Sequence, residues 1–75
     1  MNKKRLKEIR SVAAQLQTCS DALDAIKDAE DAARENTHEN FQSGDRYTES
    51  ENYSDVLSDS VDSINEAIDN LNNIV

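Results

Sequence analysis

Acidic side chains recur at helical spacing in two parts of the chain, and paired carboxylates are its best candidates for chemistry. They are Asp24, Asp28 and Asp31 in the first part, then Asp55, Asp59, Asp62, Glu66 and Asp69 in the second. Steps of three or four residues place side chains on one face of a helix. Paired acids cleave glycosidic bonds or bind calcium, but no calcium-loop pattern with its central glycine is present. We therefore predict a solvated acidic face, represented by Asp55, Asp59 and Asp62.

The single cysteine and the single histidine lack the neighbours that catalysis or metal binding requires. Cys19 falls within an apolar pattern and has no base nearby in sequence, so we predict a buried structural thiol. His38 begins the run His-Glu-Asn-Phe-Gln, which lacks the second histidine of the zinc-protease motif. No phosphate-cradling glycine loop is visible. We expect no catalytic residue, no metal site and no cofactor, and we predict that the protein is not an enzyme.

Composition limits the remaining possibilities to one small domain. The chain has 75 residues, 16 acidic and 8 basic, for a formal net charge of -8. A Rossmann fold, a barrel or a deep pocket walled by one chain needs more residues. No stretch approaches the roughly 18 apolar residues of a membrane span, so we expect no membrane association. Lys7, Glu8 and Arg10 interrupt any export signal, and one cysteine forms no internal disulfide, which together favour a cytoplasmic protein.

Apolar residues repeat every 3.5 positions in two segments, which predicts two helices that pack as in a coiled coil. Successive steps alternate between three and four residues in both segments. The first series is Ile9, Val12, Leu16, Cys19, Leu23 and Ile26, and the second is Leu57, Val61, Ile64, Ile68, Leu71 and Val75. The chain has no proline and one glycine, so long helices are not interrupted.

The segment between the two series is rich in turn residues and predicts a short connector. We expect a helix over 3–35, a connector over 36–47 and a second helix over 48–74. Thr48 with Glu51 fits a capping box at the start of the second helix. Because the connector is short, the helices must be antiparallel neighbours. The predicted fold class is all-α, a single helical hairpin over 1–75.

Charge is distributed unevenly along the predicted hairpin. Residues 1–10 hold five basic side chains and one acidic, a net of +4, whereas residues 11–75 have a net of -12. In an antiparallel hairpin the basic tip lies beside the end of the second helix, where Asp62, Glu66 and Asp69 occur. We predict that these charges pair and help to orient the helices.

Two helices share only one interface, which cannot cover apolar stripes as wide as these. A second hairpin that completes a four-helix bundle would cover the open side. We therefore predict a homo-oligomer, with a dimer favoured. The expected contact residues are the apolar flanks and the apolar side chains of the connector: Val12, Leu16, Leu23, Phe41, Tyr47, Val56 and Ile74.

Several segments resemble small helical-hairpin proteins of tailed phages and bacterial mobile elements. The matching residues are the Leu16-to-Ile26 repeat, Asn36, Glu39, Gln42-Ser43 and the run Ile64-Asn65-Glu66-Ala67-Ile68-Asp69-Asn70-Leu71. The chain departs from that pattern at His38, where a proline is usual. The resemblance implies a helical hairpin of phage-like origin. It implies no activity, because most proteins of this type have none known.

The leading functional interpretation is a structural or interaction protein that self-associates and binds another protein. The alternative is an inhibitor whose carboxylates mimic nucleic acid and block a basic host-defence or DNA-handling enzyme. We expect no direct binding to nucleic acid, because no aromatic residues accompany the basic cluster. Binding of a small ligand between subunits is left open by the sequence.

Overall fold

A computed structural model describes residues 1–36 and 44–75 and contains two long helices, α1 (Lys3–Glu35) and α2 (Asp45–Asn72). The helices pack against each other along their length, and the described residues contain no strand. The predicted all-α helical hairpin is therefore confirmed.

Local hydrogen bonds explain where α1 begins and ends. The side chain of Asn2 accepts a hydrogen bond from the backbone N–H of Arg5 at 2.8 Å, which caps the first turn. The backbone N–H of Asn36 donates to the carbonyl of Ala32, so Asn36 closes the last turn. These bounds coincide with the predicted helix over 3–35.

The second helix begins earlier than predicted. Gly44 precedes its first turn and supplies no side-chain cap, and Asp45 places a carboxylate at the positive end of the helix dipole. The hydroxyl of Thr48 donates to the carbonyl of Gly44 at 3.4 Å, so Thr48 belongs to the first turn instead of capping it. Tyr47 therefore lies in α2 and not in the connector. The helix ends at Asn72, two residues before the predicted 74.

The hairpin is a thin rod, with Cα extents of 60 × 14 × 12 Å. Its radius of gyration is 17.2 Å, whereas a compact domain of this length has about 11 Å. A rod of one helix pair has a single interface through which to bury apolar side chains. Much of its apolar surface must consequently face outward.

The contact between the helices follows a 3.5-residue repeat on both sides, as predicted, and five of the six residues predicted for the second helix lie in it. Val75, the sixth, is exposed beyond the end of α2. Leu57, Val61, Ile64 and Leu71 are half-buried and Ile68 is buried. The repeat continues toward the connector through polar residues, of which Ser54 is buried. This interhelical contact is called the seam below.

Three of the six residues predicted to face α2 from α1 do so, and the other three do not. Ile9, Leu16 and Leu23 lie in the seam, as the pattern predicted, and are half-buried. At the other three predicted positions, the next residue along the chain lies in the seam instead. Ala13, Ser20 and Lys27 therefore face α2. The predicted residues Val12, Cys19 and Ile26 are exposed. The predicted buried thiol is therefore incorrect for this hairpin.

Polar partners on α2 explain this register. Ser20 is buried and its hydroxyl donates to Oδ1 of Asn65 at 3.0 Å. Ala13 is small enough to let the helices approach closely. A buried hydroxyl with a partner and a small side chain fit a narrow seam, whereas Val12 and Ile26 need more room. Hydropathy alone does not reveal that preference.

The predicted pairing of the basic tip with α2 is not formed. Within residues 1–36 and 44–75, the ion pairs are those of Asp31 with Lys27 and Arg34, at the other end of the rod. The tip thus keeps its positive charge unpaired by Asp62, Glu66 or Asp69. Exposed pairs of long side chains gain little over solvation, which accounts for their absence.

Candidate interaction surfaces

Hydrogen bonds between the helices fix their register and lie toward one side of the rod. Ser20 bonds to Asn65, and the Ser54 hydroxyl donates to Oδ1 of Asp31 at 2.6 Å. Residues at equal height along the rod therefore have numbers that add up to about 85. The surface that carries these bonds is called the polar side.

A six-residue cluster near the connector end of the rod dominates the polar side, and in it the Ser50 hydroxyl donates to Oε1 of Glu30 at 2.7 Å. The guanidinium of Arg34 donates to the hydroxyls of Ser50 and Ser54, at 3.1 and 2.9 Å, and to Oδ1 of Asp31 at 2.8 Å. Lys27 Nζ donates to Oδ2 of Asp31 at 2.8 Å. Both carboxylate oxygens are thus bonded, and the cluster ties the two helices together where apolar seam residues are missing.

Hydrogen bonding keeps the Asp31 carboxylate ionised. The bonds from Lys27, then Ser54, then Arg34 hold the pKa of Asp31 well below its usual range. The same bonds raise the pKa of Lys27 and of Arg34. A carboxylate with so low a pKa is a poor proton acceptor at neutral pH. The cluster consequently holds the hairpin together and is not suited to acid–base catalysis.

Apolar residues at intervals of seven form a second surface, the apolar side. Its members are Val12, Cys19 and Ile26 on α1, Tyr53 and Ala67 on α2 and Ile74 just beyond the end of α2, with Val56 at its edge. Each member within the helices lies one residue before a position that faces the other helix. An antiparallel helix pair is related by a two-fold axis normal to its plane, so equivalent positions face the same side. The two stripes therefore lie on the same side of the hairpin, with the polar Ser60 between Tyr53 and Ala67.

The apolar side is open to solvent. Val12 is 47% exposed, Ile26 55%, Tyr53 54% and Ile74 50%. Among the described residues only Ala13 and Ile68 are buried apolar side chains, and no large side chain is fully buried. The hairpin alone thus lacks the core that folded helical proteins have.

An apolar depression of about 390 Å³ lies at the terminal end of this side, where the chain begins and ends. Its lining consists of Met1, Arg5, Glu8, Ile9, Val12 and Leu71. A second depression of about 530 Å³ lies at the connector end, between Ala33 of α1 and Tyr47 of α2. Arg34 and Ser50 also border it. These side chains belong to the polar cluster and already have partners there.

The predicted contact residues fall into three groups. Val12, Val56 and Ile74 are exposed and lie on or beside the apolar side. Leu16, Leu23 and Tyr47 are half-buried within the hairpin. Phe41 lies outside the described residues.

Tyr53 and Ile26 belong to this surface although the sequence prediction did not select them as contacts. Tyr53 and Ile74 are three heptads apart, and Val12, Cys19 and Ile26 are successive heptad positions. That spacing of seven was a usable signal, since it marks a stripe parallel to a 3.5-residue seam.

The acidic residues predicted as a face are exposed and lie away from the apolar side. Asp55 and Asp62 each follow a seam position of α2, on the polar side, and Asp59 faces outward. In the described residues, no group of three or more acidic, histidine or cysteine side chains is arranged to hold a metal ion. Nor does either described helix have the long apolar stretch that a membrane crossing requires.

Comparison with protein-family models, curated proteins and solved structures found no match. The resemblance to phage hairpin proteins stays a prediction.

Proposed function

We propose that this protein is a structural and interaction protein that acts as a self-associated helical bundle. The observation that carries this proposal is the open apolar side, where four large side chains are about half exposed although both helices are long and regular. Contiguous apolar surface of this kind marks a protein–protein contact in soluble proteins.

A second copy of the same hairpin is the partner that best suits this surface. The apolar side runs from the level of Val12 and Ile74 to that of Tyr53, about 30 Å along the 60 Å rod, so a long, straight element is suited to cover it. Fully burying a large apolar side chain contributes about 1.5–3 kcal/mol, and covering the exposed half of each of these contributes about half of that. In a symmetric contact every residue contributes twice. Two hairpins stacked in this way form a four-helix bundle.

The polar side supports the same proposal, because its groups are already satisfied. No buried side-chain nitrogen or oxygen in the described residues lacks a hydrogen-bond partner. The outer surface of the bundle would then be acidic and hydrophilic, and available to another protein. The polar cluster would keep the hairpin rigid while the apolar side is covered.

Sedimentation equilibrium tests the proposal. The chain mass is 8.4 kDa, and we expect twice that mass at micromolar concentrations, with dissociation on dilution. A folded helical monomer that persists at 100-fold higher concentration would contradict the proposal. Circular dichroism at the same concentrations shows whether a monomer is folded.

We propose mimicry of nucleic acid as a second candidate, because the carboxylates lie away from the apolar side. A bundle of two copies would carry a net charge of -16, twice the -8 of one chain, along a 60 Å rod. That is one negative charge per about 4 Å, close to the 3.4 Å per charge along one DNA strand. A single hairpin has half this density, so mimicry would depend on self-association.

A pull-down from a bacterial lysate at low and high salt tests mimicry. The control is the variant Asp55→Asn/Asp59→Asn/Asp62→Asn, which keeps the shape and removes three charges. Mimicry predicts captured basic proteins that single-stranded DNA displaces and that the variant does not retain. Capture that survives high salt and the triple substitution would contradict it.

A further inference from the structure

Two copies can cover each other's apolar side in two ways. If both connectors lie at the same end of the bundle, α1 faces α2 of the partner. If the connectors lie at opposite ends, α1 faces α1 of the partner. We propose the arrangement with connectors at opposite ends. This inference rests on the self-association proposed above and adds the orientation of the partner.

The apolar stripe of α1 is symmetric about the middle of its helix. Cys19 is the central residue of α1, which runs from Lys3 to Glu35 over 33 residues. Val12 and Ile26 are each seven residues from it. A two-fold axis through the height of Cys19 therefore brings Val12 against the partner's Ile26, and Cys19 against the partner's Cys19. Every apolar residue of the stripe then meets another, as an isologous contact requires.

The ends of the apolar side are also complementary in shape. Tyr53 protrudes near the connector end, and the apolar depression beside Ile9 and Leu71 lies at the terminal end. The same two-fold axis carries the partner's Tyr53 to the height of the depression, since Tyr53 lies level with about residue 32 of α1. With connectors together, Tyr53 would remain about 35 Å away from it. Only the opposite-end arrangement lets this aromatic side chain fill the depression.

The charge distribution favours the same orientation. The basic tip of residues 1–10 has a net charge of +4 and forms no ion pair with α2 of its own chain in the described residues. The described connector end, residues 30–36 and 44–51, holds six acidic and two basic side chains, a net of -4. Opposite ends place the basic tip of one copy beside the acidic connector end of the other. Connectors at the same end would bring like charges together.

Cross-linking of single cysteines distinguishes the two arrangements. In chains that carry Cys19→Ser, we would introduce Val12→Cys, Ile26→Cys or Ile74→Cys, and refold the variants in pairs before adding a short bismaleimide. The proposal predicts covalent dimers from the mixture of the first two variants. It predicts none from either variant alone, because identical positions would be about 21 Å apart along the rod.

The contrary arrangement gives a different pattern with the same reagents. Connectors at the same end would place Val12 beside the partner's Ile74, so cross-linking in that mixture would overturn the proposal. Cross-linking of the Val12→Cys variant to itself would do the same. Because a substitution could weaken association, the unaltered chain is a second measurement, in which Cys19 should cross-link to the partner's Cys19. Both arrangements allow this cross-link, so its absence in a dimer overturns the proposal and the orientation is decided by the paired variants.

Sedimentation separates failure of the orientation from failure of the proposed function. A dimer that shows no cross-link in the unaltered chain or in the mixture of Val12→Cys and Ile26→Cys variants overturns the orientation alone. A monomeric unaltered chain at 100 micromolar overturns both the orientation and the self-association on which it rests.

Discussion

The two sides of the hairpin differ in whether their side chains already have partners. On the polar side, the cluster around Asp31 and the bond between Ser20 and Asn65 join the helices. On the apolar side, Val12, Ile26 and the residues around them face solvent. Burial of polar groups costs free energy unless they are bonded, and apolar exposure costs free energy unless it is covered. Within the hairpin the polar groups already have hydrogen-bond partners, whereas the exposed apolar side chains need a partner chain to cover them.

The interactions of the polar side hold the hairpin together, and those of the apolar side are left for assembly. The polar cluster replaces apolar seam residues near the connector, where Lys27 and Arg34 occupy positions that would otherwise take leucine. Directional bonds there specify one register of the two helices. The displaced apolar residues fall on the other side, where a second chain covers them.

The largest expected effect comes from charging the apolar side. Ile26→Glu removes a large apolar side chain from each copy and places a carboxylate in the contact. Covering the exposed half of Ile26 contributes about 1 kcal/mol for each copy, and the buried carboxylate adds a desolvation cost, so the dissociation constant should rise at least about 30-fold. Sedimentation equilibrium measures it.

The control for this variant is Ala25→Glu, one residue away on the exposed outer surface of α1. It adds the same charge to the same helix and should leave the dissociation constant nearly unchanged. Equal weakening by both variants would show that net charge, and not the apolar side, governs association.

A smaller effect is expected from the polar side. Ser54 is buried, accepts a hydrogen bond from Arg34 and donates one to Asp31. Ser54→Ala removes both bonds, and we expect it to lower the free energy of unfolding by about 1–2 kcal/mol. Thermal or urea unfolding followed by circular dichroism measures the change.

Ser63→Ala is the matched control, because Ser63 is exposed on the same helix. Alanine favours helix there, so this variant should be as stable as the original chain or slightly more so. If both variants gain stability, the polar cluster contributes nothing to folding.

Acid should weaken the polar side through Asp31. The pKa of Asp31 is lowered in the folded chain, so its contribution is fully present above the unfolded value of about 3.9. That contribution is lost as the pH falls from there through the folded pKa. The difference in Tm between the original chain and Asp31→Asn should therefore shrink from pH 4 to pH 2. A difference that stays constant over this range would show that the ionised Asp31 carboxylate does not stabilise the hairpin.

The smallest effect is expected from the acidic residues that face solvent. Asp55→Asn/Asp59→Asn/Asp62→Asn should alter the dissociation constant of the dimer by about twofold or less, since surface substitutions change free energies within about 0.5 kcal/mol. Sedimentation equilibrium in low salt measures the difference. A large loss of association would assign these carboxylates to the contact between copies.

The sequence predicted the helices and the seam of α2 because their 3.5-residue repeat is carried by large apolar residues such as Leu57 and Ile64. It failed in α1, where two adjacent registers are both possible. Hydropathy favours Val12, Cys19 and Ile26, whereas the hydrogen bonds of Ser20 and Arg34 favour the register one residue later. A pattern of apolar residues does not contain those bonds.

The start of α2 and the apolar side also could not be predicted from a local sequence pattern. Thr48 matches a capping box, but helix formation from Asp45 is more favourable and makes Thr48 part of the first turn. The apolar side emerges only when both helices are placed in register, because Val12 and Tyr53 are far apart in sequence. Flanking apolar residues such as Val56 and Ile74 were nevertheless predictable from their spacing.

The reactivity of the Cys19 thiol reports whether a second copy covers the apolar side, because Cys19 is exposed on that side of a single hairpin. If a second copy covers that side, reaction with a thiol reagent proceeds through the dissociated chain. The rate should then fall at least about tenfold as protein concentration rises well above the dissociation constant, and recover on dilution. A rate that equals that of the urea-unfolded chain at every concentration would contradict the account.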